Sequence, residues 1–123
     1  MLYKSMMSRL IAVISFLVCL GPSLVMAAGF LSVYEDLPLP ASLAEVPGSA
    51  LAFDSQEGRI VEVEAKGVTD KQTVTAFYAS ALPQLGWVQD GPGQYHREQE
   101  VLRIDIVENG KGVISARFKV SPK

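Results

Sequence analysis

Cysteine and histidine each occur once in these 123 residues, and basic side chains are few. Cys19 sits inside an N-terminal apolar run, so a chain that has lost that run has no thiol. Disulfides, thiol nucleophiles and iron–sulfur clusters are then excluded, and an exported domain without bridges must rely on its core. No zinc-ligand pattern, Gly-rich phosphate loop or nucleophile elbow is present, and the residues imply no cofactor. Without Lys4 and Arg9, nine basic residues face thirteen acidic ones, a net charge of −4. That balance makes nucleic acid a poor partner, since its binding depends on basic residues releasing counterions. Repeats and low-complexity tracts are also absent.

What is present first is an address. Lys4 and Arg9 precede an apolar run from Leu10 to Leu20, Gly21-Pro22 breaks it, and Val25-Met26-Ala27-Ala28 offers small residues to a signal peptidase. This order is that of a secretory signal, so residues 1–27 are expected to be a cleavable signal peptide, cut after Ala27 or Ala28. Two rivals are weaker. The uncharged stretch between Leu10 and Glu35 is long enough to span a bilayer if helical, but Pro22 would break the helix interior. Lipidation at Cys19 would require a small residue where Val18 stands. The expected location is therefore exported, and periplasmic in a Gram-negative source, with membrane contact only through an uncleaved signal segment. A chain from Ala28 to Lys123 has 96 residues, enough for one small domain that buries roughly 60–65% of its unfolded surface.

Residues 28–48 form a Pro-rich extended arm. Pro38, Pro40 and Pro47 prevent any sustained period there and push the residues before them toward extended backbone. The arm reads either as a strap lying across the domain or as a docking segment with Tyr34, Leu37 and Leu39 as apolar teeth for a partner. In the docking reading, removing Leu31 to Pro40 would spare the fold and abolish binding.

Residues 49–123 carry the periodic patterns. Leu51 and Phe53 alternate with polar and small residues, as do Val61, Val63 and Ala65, across a turn at Ser55–Gly58; Gly67 closes the second strand. A helix follows, with Thr69 and Gln72 at capping-box spacing and a stripe of Val74, Phe77, Tyr78, Ala81, Leu82 and Leu85. It ends near Pro83, with Gly86 as a left-handed stop. A three-stranded meander completes the chain: Gln94 to Glu98, Val101 to Val107, and Val113 to Val120. A three-residue loop, Asn109 to Lys111, pairs Ile106 with Ile114, Ile104 with Ala116 and Leu102 with Phe118, and sets Arg103 opposite Arg117. The order β-β-α-β-β-β predicts an α+β two-layer sandwich, one helix on a mostly antiparallel sheet. Leu51, Phe53, Val61, Val63, Leu102, Ile104 and Phe118 are expected inside; Glu62, Glu64, Asp105, Arg117 and Lys119 are expected on the open face.

The run from Val74 to Trp87, with Phe77-Tyr78 leading into Leu82-Pro83-Gln84-Leu85-Gly86-Trp87, resembles a segment of uncharacterised small exported bacterial proteins. Gly58-Arg59-Ile60-Val61 looks like the hairpin that precedes that helix. The resemblance covers most of the mature chain and implies the fold, but no activity or site residue.

Three functions remain. His96, Glu98 and Glu100 would share a strand face at roughly 7 Å spacing, so a metal-dependent hydrolase around His96 is one; solvated decoration of an edge hairpin explains the same residues. A small-ligand carrier using the helix–sheet interior is the second, with Phe77, Trp87 and Tyr95 otherwise serving as core plugs. The preferred expectation is a non-catalytic accessory or protein-interaction module of the cell envelope, with an envelope protein as partner. It joins the lack of a catalytic constellation to an extended arm and available sheet edges.

Overall fold

Strong alternation along three long strands builds the core of the computed structural model, which describes residues 27–123. The signal, anchor and Cys19 expectations lie outside the described residues, except that Ala27 and Ala28 open the first strand. In chain order the elements are β1 (Ala27–Phe30), β2 (Pro38–Pro40), β3 (Ala44–Glu45), β4 (Leu51–Asp54), β5 (Arg59–Val68), α1 (Lys71–Gln84), β6 (Val88–Gly91), β7 (Gln94–Arg97), β8 (Glu100–Glu108) and β9 (Val113–Pro122). The fold is α+β, with one helix and a mostly antiparallel sheet among the described residues. β1 and β2 form their own antiparallel pair, while β3-β5-β9-β8-β7-β6 run in that order through the large sheet. β4 joins the edge of β5 beyond β3. The expected order β-β-α-β-β-β is therefore incomplete. It lacks β1, β2 and β3 from the arm and β6 after the helix, all of which are four residues or shorter and have no period to betray them.

Val61, Val63 and Ala65 of β5, Leu102 and Ile104 of β8, and Ile114, Ala116, Phe118 and Val120 of β9 share one inward face and are buried. Against them α1 lays Val74, Tyr78 and Leu82, the centre of the expected stripe. Tyr78 meets Phe118 edge-on at 5.5 Å between ring centres and Phe77 at 5.0 Å, a favoured aromatic geometry. Its hydroxyl donates to the Pro38 carbonyl at 2.7 Å, so no buried polar atom is stranded there.

The helix starts one residue later than the Thr69 capping box predicts. The Thr69 N–H donates to the Gly112 carbonyl at 2.9 Å, which holds that residue to the sheet. Asp70 is the cap instead, its carboxylate accepting from the Thr73 N–H at 2.7 Å. That bond holds the Asp70 carboxyl below the ordinary aspartate range. At the other end the Trp87 N–H reaches the Leu82 carbonyl at 3.1 Å and the Gly86 N–H the Pro83 carbonyl at 3.1 Å. This is a Schellman stop, with Gly86 in the left-handed region at φ 90°. Trp87 and Leu82, the residues that such a stop brings into apolar contact, are both fully buried.

Two register expectations need correction. β8 and β9 pair Ile106 with Ala116, Ile104 with Phe118 and Leu102 with Val120, two residues from the expected alignment. Gly110, Lys111 and Gly112 all have positive φ, so the turn extends to Gly112 and is longer than the expected loop of Asn109 to Lys111. Because the slip is even, no side chain changes face. Arg117 consequently faces Asp105 rather than Arg103, and Glu64 flanks it on β5. The second correction is β4. Leu51 and Phe53 are 52% and 46% exposed, because four turn residues place them opposite Glu62 and Ile60 on the open face. Parity set by the turn overrode the apolar pattern.

Leu31, Leu37, Leu39 and Leu43 belong to the same core cluster as the sheet and helix. The arm is thus a strap over that core, continuous with the part of the domain that begins at residue 49.

Candidate partner-binding groove

Tyr34, Leu37 and Leu39, the residues expected to meet a partner, do not share a surface. Leu37 is 1% and Leu39 6% exposed, so neither is free to act as a docking tooth in this fold. Their physical role is to cover α1 and the inward sheet face, which a 14-residue helix about 20 Å long cannot cover alone. Tyr34 is half-buried and enters a polar clasp. Its hydroxyl donates to Glu100 Oε1 at 2.8 Å and accepts from Arg97 Nη2 at 3.1 Å. The same Nη2 donates to Asp36 Oδ2 at 2.9 Å, while Nη1 donates to the Leu85 carbonyl at 2.8 Å. The guanidinium lies 4.5 Å from the centre of the Trp87 ring, within cation–π range. Arg97 therefore fastens the strap to the C-terminal end of α1. A visible signal for it exists, since Arg97 follows Tyr95 at period two and is a charged residue on an inward-facing position.

Burial, followed by the hydrogen bond to Glu100, pushes the Tyr34 phenol up to about 12. Burial pushes Tyr78 higher still. A raised phenol value means that the folded state favours the neutral ring. The stabilisation is complete below pH 10 and is lost as pH rises from about 10 through the folded value. Thermal midpoints between pH 8 and 12 should fall above pH 10, with a shallower fall in Tyr34→Phe; parallel curves for the two proteins would contradict the clasp.

His96, Glu98 and Glu100 are not brought together. His96 pairs with Asp90 across the β6–β7 hairpin, Nδ1 to Oδ2 at 2.9 Å, and this contact holds the Asp90 carboxyl below its ordinary range. Glu98 occupies the next turn at φ 54°, and Glu100 turns to Tyr34. Among the described residues no group of three His, Cys, Asp or Glu side chains is placed to hold a metal ion, and no helix is long and apolar enough to cross a membrane.

The feature that does converge is a groove of about 820 Å3 between α1 and the β7–β8 side of the sheet. Lys71, Thr75 and Tyr78 form its helix wall, spaced four and three apart and so on one side of α1. Tyr95, Ile104 and Ile106 form the sheet wall, and Pro92-Gly93 close one end. Beyond Lys71 a second depression of about 570 Å3 extends it between Asp70 and Glu108.

The groove exists because β7 is short. β7 begins at Gln94 opposite Arg103, so among the described residues no strand pairs with Asp105 to Glu108 of β8 on that side. The turn is held close by the Ile104 N–H, which donates to the Gly93 carbonyl at 2.8 Å. Only glycine fits there: φ is +65°, and a Cβ would stand 2.6 Å from the Ile104 oxygen.

No family model, curated protein or solved structure matches the chain. The groove is the site that the fold itself offers. It was not legible as a site because its apolar members read as ordinary core positions, and only the unequal lengths of β7 and β8 open it.

Proposed function

We propose that this chain is a non-catalytic, exported accessory module of the cell envelope that holds a partner protein in the groove between α1 and β8. The observation that supports it most is the stretch of β8 that outruns β7 beside an apolar wall. Unpaired strand edges next to a hydrophobic groove are a recurrent means of holding polypeptide. The two-layer reading of the architecture belongs to the same proposal: the large sheet is one layer, and α1 with the β1–β2 hairpin is the other. The docking element thus moves from the arm to the groove, and the arm's part is to keep α1 in place.

The test is crosslinking in the native host, comparing the wild-type chain with Thr75→Arg. Thr75 is exposed on the helix wall, so arginine there fills the groove at a stability cost of about 0.5 kcal/mol or less. A partner crosslinked by the wild-type chain and lost in Thr75→Arg is the expected result. The same partner captured equally by both proteins would exclude the groove.

A small-ligand carrier is the second reading, favoured by the size of the groove, which lies in the range of small-molecule sites. It requires a copurified small-molecule mass in native mass spectrometry of the wild-type protein that Thr75→Arg lacks.

A further inference from the structure

We infer that the groove takes its partner as an added antiparallel strand on β8, and that the segment carries a basic residue two places before an apolar one. This rests on the reading of the groove as the partner site and specifies the chemistry of its occupant.

The backbone of β8 sets the mode. The Ile104 N–H points toward β7, where it donates to Gly93. Backbone direction alternates along a strand, so Ile106 and Glu108 aim their N–H and C=O groups the same way. Asp105 and Val107 aim theirs at Arg117 and Ser115 of β9. Past Gly93 no strand of the described residues lies opposite Ile106 or Glu108. Two donors and two acceptors therefore stand along one edge at the repeat of a β-ladder. A compact apolar ligand would leave all four to water, whereas an extended peptide pairs with each of them.

The direction follows from β7. An antiparallel segment continues the line of β7, and its C-terminal end meets the turn at Gly93; it first passes Glu108, then Val107, then Ile106. Residues opposite one another project to the same face. The side chain opposite Ile106 therefore enters the groove beside Tyr78, Tyr95 and Ile104, all buried and apolar-walled, and must itself be apolar. The side chain opposite Glu108 lies two residues earlier on the same face. There Asp70 and Glu108 outnumber Lys71, and the net negative end favours lysine or arginine. The residue between them projects to the open face beside Val107.

The experiment uses the processed protein purified from its host, labelled with 15N, and two acetylated, amidated probe peptides, Ser-Arg-Thr-Val-Thr-Ser and the same peptide with Glu in place of Arg. Fluorescence polarisation reads affinity, and amide hydrogen exchange reads the edge. The Arg peptide should bind roughly fivefold more tightly than the Glu peptide and slow exchange at the Ile106 and Glu108 amides. Glu108→Lys should invert the preference. Glu108→Pro should weaken the Arg peptide roughly tenfold beyond Glu108→Gln, which shares the loss of the carboxylate but keeps the outward N–H, with an unchanged thermal midpoint.

Binding that leaves both amides unprotected and Glu108→Pro no weaker than Glu108→Gln would overturn strand addition. Equal affinity for both peptides would overturn the basic position. Occupation of the groove by the apolar dye anilinonaphthalene sulfonate, with neither peptide binding, would overturn the peptide occupant. In all three cases a crosslinked partner that disappears in Thr75→Arg would leave the proposed site standing, and its persistence would remove the site as well.

Discussion

Deleting Leu31 to Pro40 should unfold the domain. Leu31, Leu37 and Leu39 are buried in one cluster with Tyr78, Leu82 and the inward sheet face, and each deleted leucine is worth about 2–5 kcal/mol. Three together, about 6–15 kcal/mol, are comparable to the whole stability of a small domain, about 5–15 kcal/mol. The deletion also removes the acceptor of the Tyr78 hydroxyl and two partners of Arg97. Circular dichroism of the shortened chain should show no cooperative melt. The graded form is Leu37→Ala, which should cost about 2–5 kcal/mol by urea denaturation. A shortened chain that still melts sharply would mean that sheet and helix suffice and that the strap is dispensable. Loss of a partner on this deletion would then say nothing about docking unless the protein is first shown to be folded.

Gly67→Ala should also be clearly destabilising, although it adds a single methyl group. A Cβ at Gly67 would stand 1.8 Å from the Ser42 carbonyl oxygen and 3.1 Å from the Leu43 Cα. Both obstacles are backbone, so no rotamer change relieves the clash. Either the strap lifts, taking Leu43 out of the core and breaking the Ala44–Lys66 pairing, or β5 bends away from β9. Overpacking of this kind costs about 1–3 kcal/mol, and loss of the buried Leu43 contacts adds to it. The midpoint in urea should fall clearly, with hydrogen exchange quickening first at the β3–β5 pair. Gly48→Ala is the comparison within the same segment: no atom lies within 4 Å of its Cβ, but φ is +81°, so backbone strain alone applies. A Gly67→Ala protein as stable as wild type would show that the strap does not lie against β5.

Gly67 also shows how sequence signals can mislead. A glycine at the end of an alternating run reads as a strand stop, yet β5 continues through it to Val68. Its role is to admit another backbone, and nothing local announces which one. Arg97 is the converse case, a charge at an inward position whose purpose emerges only with Asp36, Tyr34 and Leu85 beside it. Leu37 and Leu39 are the sharpest example. Apolar residues between prolines suit a docking segment and a strap equally well, and the choice depends on whether the helix leaves the core uncovered.

The local pattern by itself determined the helix and its buried stripe, the Gly86 stop, the inward faces of β5, β8 and β9, and the α+β class. These follow from periodicity and from backbone preferences that act within a few residues. The tertiary structure alone decided the register of β8 on β9, the outward turn of Leu51 and Phe53, the burial of the strap and the free edge of β8 that opens the groove. Each of those depends on where one backbone ends beside another, and no residue encodes the position of a neighbour distant in sequence.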